Sequence, residues 1–173
     1  YKWDSFAAAQ LTAALLKAEV PVKYAEEGFT LAGEDFPAGS ITVLQKGLPP
    51  KVDVDALRTM ADRFHVKLYA VTSGGVEKGN DLGSSKVHRI HAPRVLMFSG
   101  EGTRAMNVGE VWHYFDQQLG YPISLANLSS YGQVPWDKVD ILILSNGTFP
   151  FLKDKASTDQ LSNWVKAGGK IVA

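Results

Sequence analysis

The sequence predicts an α/β protein whose main element is a parallel, doubly wound sheet, preceded by a smaller α/β portion. Three observations carry this. From Pro93 onward, short apolar runs alternate with segments of helical period, the order that builds a parallel sheet with crossover helices. The run Val139-Asp140-Ile141-Leu142-Ile143-Leu144 has the branched, apolar character of a strand buried on both faces. The composition, 45% hydrophobic and 21% charged over 173 residues, suits a globular chain with one sizeable core or two small lobes.

Residues 1–91 read as the smaller portion. An alanine-rich stretch from Ser5 to Ala18, with Phe6, Ala13 and Leu16 at helical spacing, predicts a helix capped by Asp4 or Ser5. Val20 to Tyr24 reads as a strand. Phe29-Thr30-Leu31 and Ser40 to Leu44 are short extended runs, punctuated by Gly33-Glu34-Asp35 and Pro37-Ala38-Gly39 in the manner of a hairpin-like excursion. After Pro49-Pro50, Val54, Leu57, Met60 and Phe64 predict a second helix, leading into a strand at Lys67 to Val71. The Gly- and Ser-rich stretch from Ser73 to Ser85 is the candidate linker or functional loop.

Residues 92–173 carry the regular pattern. The expected elements are a strand at Arg94 to Phe98, a helix at Val108 to Leu119, strands at Pro122 to Ala126 and Val139 to Leu144, and a helix at Thr158 to Ala167. Asn107 with Glu110, and Ser157 with Gln160, stand three apart as a capping box requires. After Gly168-Gly169, Lys170-Ile171-Val172-Ala173 reads as a strand just beginning, so the domain is expected to be truncated at its carboxyl end and the chain to be cut from a longer protein.

Charge and composition narrow the function. Eighteen basic residues balance eighteen acidic ones without runs of either sign, so there is no electrostatic footprint for nucleic acid or an anionic membrane. No apolar stretch approaches the roughly 20 residues that span a bilayer. With no cysteine, thiolate catalysis, disulfides and thiolate metal sites are excluded.

The candidate sites lie at strand ends, where open α/β sheets place them. Ser99-Gly100-Glu101-Gly102-Thr103-Arg104-Ala105 follows a strand, and Gly100, Gly102 and Ala105 fit a loose dinucleotide fingerprint. The competing reading is a tight strand-to-helix turn, since Glu101 would set a carboxylate beside the pyrophosphate. Ser145-Asn146-Gly147 is the second turn, and there Asn146-Gly147 supplies left-handed residues on the plainest reading. The two turns should be neighbours, giving a small polar crevice lined by Glu101, Thr103, Asn146 and Thr148 as candidate ligand-binding residues. Hydrolysis by Glu101 or Ser145 is the remote option, for no G-x-S-x-G elbow is present. His113 with Asp116, and His88 with His91, stand three apart but lack a third metal ligand in sequence, and surface histidines are the expectation. Most aromatic residues of the second half are expected in the core, with Phe149-Pro150-Phe151 a candidate contact surface.

The segment from Ala92 to Ala173 resembles a class I glutamine amidotransferase-like domain, a flavodoxin-like fold. Four phrases resemble the carboxyl-terminal region of large bacterial zinc carboxypeptidases: Phe36-Pro37-Ala38-Gly39-Ser40, Asp81 to Val87, Ala92-Pro93-Arg94-Val95 and Gly109 to Phe115. The resemblance implies a carboxypeptidase A-type metallopeptidase domain upstream as the partner, holding the zinc cofactor through His-x-x-Glu and a later His, and export to the periplasm or beyond the cell. No cofactor is implied within this segment. Active amidotransferase-like domains use an elbow cysteine, and Asn146 stands near that position here. The implied role is a non-catalytic accessory domain that packs on the peptidase, holds it in a homo-oligomer, or binds a small ligand in the vestigial crevice.

Overall fold

The computed structural model describes all residues, Tyr1–Ala173, as two compact units, Tyr1–Ala92 and Pro93–Ala173. The fold is mixed α/β, and its second unit holds a four-stranded parallel sheet flanked by helices.

In the first unit, helix α1 (Phe6–Lys17) begins where the Ser5 hydroxyl accepts the Ala8 N–H at 3.3 Å. It buries Ala8, Leu11, Thr12 and Leu15. That stripe is turned from the expected one: Ala13 is buried, but Leu16 is half-buried and Phe6 exposed. With so many alanines several faces are equally apolar, so periodicity alone does not select one. Strand β1 (Val22–Ala25) is central in an antiparallel sheet, between β4 (Ile41–Val43) and β5 (Val87–Ile90), with Val22 opposite both Val43 and Ile90. Helix α2 (Val54–Arg63), capped by Asp53 accepting the Ala56 N–H at 2.8 Å, joins α1 over a core of Leu11, Leu15, Val20, Val22, Ile41 and Ala61.

Strands β2 (Phe29–Leu31) and β3 (Glu34–Phe36) form a separate hairpin. Its turn is Ala32-Gly33, both at positive φ (54° and 73°), so Glu34 and Asp35 belong to a strand rather than to punctuation. Asp35 accepts the Thr30 hydroxyl across the pair at 2.7 Å. No strand forms at Lys67 to Val71; Tyr69 instead meets the Phe36 ring edge-on at 5.0 Å. The Gly- and Ser-rich stretch is tied to the hairpin, with Thr30 donating to the Lys78 carbonyl and Glu77 to the Thr30 carbonyl, both at 2.9 Å. Val76 and Leu82 pack there against Ala25, Phe29, Leu31 and Phe36.

In the second unit the strand order is β7-β6-β8-β9, with β6 spanning Val95–Ser99, β7 Ser124–Asn127, β8 Ile141–Ile143 and β9 Lys170–Val172. The register sets Met97 beside Leu125 and Ile143 on one face, and Leu96 beside Ser124 and Leu142 on the other. Helix α4 (Lys155–Lys166) covers the second face, where Leu96, Phe98, Tyr131, Trp136, Leu142, Phe151 and Leu161 form the core. Helix α3 (Ala105–His113) covers the first, burying Val108, and continues as a wider π turn over Tyr114–Leu119 until left-handed Gly120 stops it.

Both helices start earlier than the capping pairs suggest. Helix α4 is capped by Asp154, whose carboxylate accepts the Ser157 N–H and hydroxyl, each at 2.8 Å. In α3, Asn107 lies inside the first turn and donates its side-chain amide to Glu110 at 3.2 Å. Residues three apart are neighbours on any helix surface, so the spacing did not by itself mark a terminus. Phe149 and Phe151 are not a contact surface: Phe151 is buried, stacked on Tyr131 at 4.3 Å, and Phe149 packs beside it. No helix is long and apolar enough to cross a membrane.

Candidate strand-end site

Strand β6 continues α3-ward on one side of the sheet and β8 continues α4-ward on the other, so the point where the strand order reverses lies between their carboxyl ends. The loops leaving that point are Gly100 to Arg104 and Ser145 to Thr148. Glycine is required at three of these positions. Gly100 and Gly102 have φ of 91° and 94°, which turns the chain sharply out of β6. Gly147 has no left-handed φ, contrary to the expectation for Asn146-Gly147; it is needed because a Cβ there would stand 2.7 Å from the Gly102 carbonyl oxygen.

That close approach is part of a short main-chain seam. The Arg104 N–H donates to the Asn146 carbonyl at 2.9 Å, the Thr148 N–H donates to the Gly102 carbonyl at 2.7 Å, and Thr103 pairs with Gly147 as an antiparallel bridge. Glu101, Thr103, Asn146 and Thr148 are thus brought to adjoining turns, but the groups that face one another across them are backbone. The side chains of Glu101, Asn146 and Thr148 are exposed. Thr103 spends its hydroxyl on the Gly100 carbonyl, 2.7 Å away.

The seam bears on each chemistry considered for these turns. Of the amides leading into α3, those of Thr103 and Arg104 are already donated within the protein, to the Gly100 and Asn146 carbonyls. The Ser145 hydroxyl is buried with no hydrogen-bond partner, so no base is in place to activate it. No trio of His, Asp and Glu side chains gathers in the structure. His88 instead stands 3.1 Å from Glu26, which also pairs with Lys86 at 3.3 Å. Those two partners hold the Glu26 carboxyl below its ordinary range, the His88 hydrogen bond contributing most.

Two cavities border the edge strand β7, and neither was read from the sequence. One, of about 380 Å³, lies between α3 and the sheet, lined by Ser99, Thr103, Val108, Gly109, Trp112 and Leu125. The other, of about 390 Å³, opens on the opposite face beside Ser124, Ala126, Ser130, Gln133, Val134 and Lys138. The available signal for the first was Gly109, a glycine inside an amphipathic helix, where a Cβ would meet nothing within 4 Å. At the amino ends of the strands, Arg94 clamps Asp140 through Nε at 2.9 Å and Nη2 at 2.8 Å, fixing β6 against β8.

Protein-family models, curated proteins and solved structures were all compared with this chain, and none matches it.

Proposed function

We propose that this chain is a non-catalytic accessory domain of an exported zinc metallocarboxypeptidase, its second unit a flavodoxin-like, amidotransferase-like domain without the nucleophile. The observation that carries the reading is the seam at the switch point. Ser145-Asn146-Gly147 follows β8 without a thiol, and main-chain hydrogen bonds tie this turn to Gly102–Arg104. The sequence phrases from Phe36 to Phe115 supply the link to the zinc carboxypeptidases, and with it the peptidase domain upstream and its zinc.

The test is deletion of this segment from the product of its complete coding frame. Zinc content and the integrity of the peptidase ligands should survive, while thermal stability, assembly or substrate range changes. Loss of zinc ligands together with this segment would refute the reading.

A small-molecule-binding module is the second reading, favoured by the cavity that borders Thr103 and by the exposed side chains of Glu101 and Asn146 on the adjoining turns. It requires that Glu101→Gln or Asn146→Ala weaken binding of whatever molecule raises the melting temperature. Equal shifts in wild type and both variants would exclude these turns.

A further inference from the structure

We infer that β7 is the self-association edge of this chain, pairing antiparallel with β7 of a second copy across a two-fold axis. This inference goes beyond the accessory-domain reading and does not rest on it. Strand β7 pairs with β6 on one side only. No backbone hydrogen bond is made on its outer side, so its remaining amides and carbonyls form an open ladder.

Open edges are usually guarded by a charge, a proline within the strand, or a bulge. Ser124-Leu125-Ala126-Asn127 has none of these. More tellingly, no charged residue occurs anywhere from Gln117 to Trp136. At a two-fold axis a residue meets its own copy, so a charge there meets a like charge. That β7 and its flanking sequence carry none suits pairing with a second copy of this chain; the charges that border the edge, Arg94 and Lys138, line the cleft beside Ser124 and Ala126, and Arg94 is held by Asp140.

Side-chain placement agrees. An axis perpendicular to the sheet keeps each face continuous, so Leu125 is met across the seam by its own copy, and Ser124 by Ala126. Leu125 is 47% exposed in the single chain and lies beside Trp112, itself 40% exposed. The two cavities bordering β7, one on each face, would be closed over by the neighbouring strand. The product is an eight-stranded sheet running through both copies.

Sedimentation equilibrium of Tyr1–Ala173 over a range of concentrations tests this, with Leu125→Lys and Leu125→Glu as the variants. Wild type should approach twice the 18.8 kDa chain mass. Each variant alone should remain at the single-chain mass, because the axis sets like charges opposite each other. An equimolar mixture of the two should recover the double mass, with far-ultraviolet circular dichroism showing each variant folded. A wild type that stays at the single-chain mass at every concentration would overturn the inference, leaving a foreign strand as the occupant of the edge. Dimers that persist in both single variants would overturn it too, by putting the interface elsewhere. So would folded variants whose mixture fails to associate.

Discussion

Gly147 lies so close to Gly102 that an added Cβ would stand 2.7 Å from the Gly102 carbonyl oxygen and 3.1 Å from the Thr103 Cα. Both neighbours are backbone and cannot swing aside. Gly147→Ala should therefore push the two turns apart and destabilise the protein by about 1–3 kcal/mol, the ordinary range for overpacking a tight site. Urea unfolding monitored by tryptophan fluorescence measures this.

Gly109 is the opposite case. It sits inside α3 with open space where its side chain would be. Gly109→Ala should stabilise the protein by about 0.5–1 kcal/mol through helix propensity alone. The same unfolding experiment, run beside Gly147→Ala, checks that the two glycines differ in sign.

The seam also predicts a pattern of amide exchange. The Arg104 and Thr148 N–H groups lie in loops, yet both are donated to carbonyls across the seam. Their exchange should be slowed to a rate comparable with amides of β8, whereas the Glu101 amide exchanges at a loop rate. Hydrogen exchange followed by NMR resolves the three.

On the acid side, the Ser157 backbone amide and then its hydroxyl hold the Asp154 carboxyl below the usual aspartate range. A depressed folded-state pKa contributes stability that is complete above the unfolded pKa and is lost as pH falls through the lower folded value. Asp154→Asn keeps an acceptor for the Ser157 N–H but cannot titrate. Its melting temperature should fall less steeply than that of wild type as pH drops below the ordinary carboxylate range, which a series of thermal melts would show.

Phe151 is buried against Phe98 and Tyr131, with ring centroids 5.6 and 4.3 Å away. Its truncation to alanine should cost about 3–5 kcal/mol, the range for removing a buried aromatic side chain. The sequence makes Phe149-Pro150-Phe151 a candidate contact surface because the run follows a site-forming turn. The structure instead folds Pro150–Lys153 into a short 3₁₀ turn that carries the ring inward.

The contrast with Phe151 shows what was legible. The parallel sheet could be read because β6 and β8 are buried on both faces and so are apolar at nearly every position, as in Val95-Leu96-Met97-Phe98. Helix starts were less legible: Asp154 outcompetes Ser157 as a cap, and nothing local distinguishes them. The neighbouring of the Glu101 and Asn146 turns follows from strand order, but that they face each other through backbone rather than side chains depends on Gly147, whose role is a long-range approach. The clefts beside β7 were invisible because they are bounded by residues from separate elements, Trp112 and Leu125 among them.

The most direct test of the accessory-domain account compares the complete product of the coding frame with the isolated chain Tyr1–Ala173 for zinc content and carboxypeptidase activity. The account predicts an upstream His-x-x-Glu with a later His, with zinc and activity in the complete product and neither in the isolated chain. Stoichiometric zinc or peptide turnover in Tyr1–Ala173 itself, or a frame with no peptidase domain upstream, would contradict it.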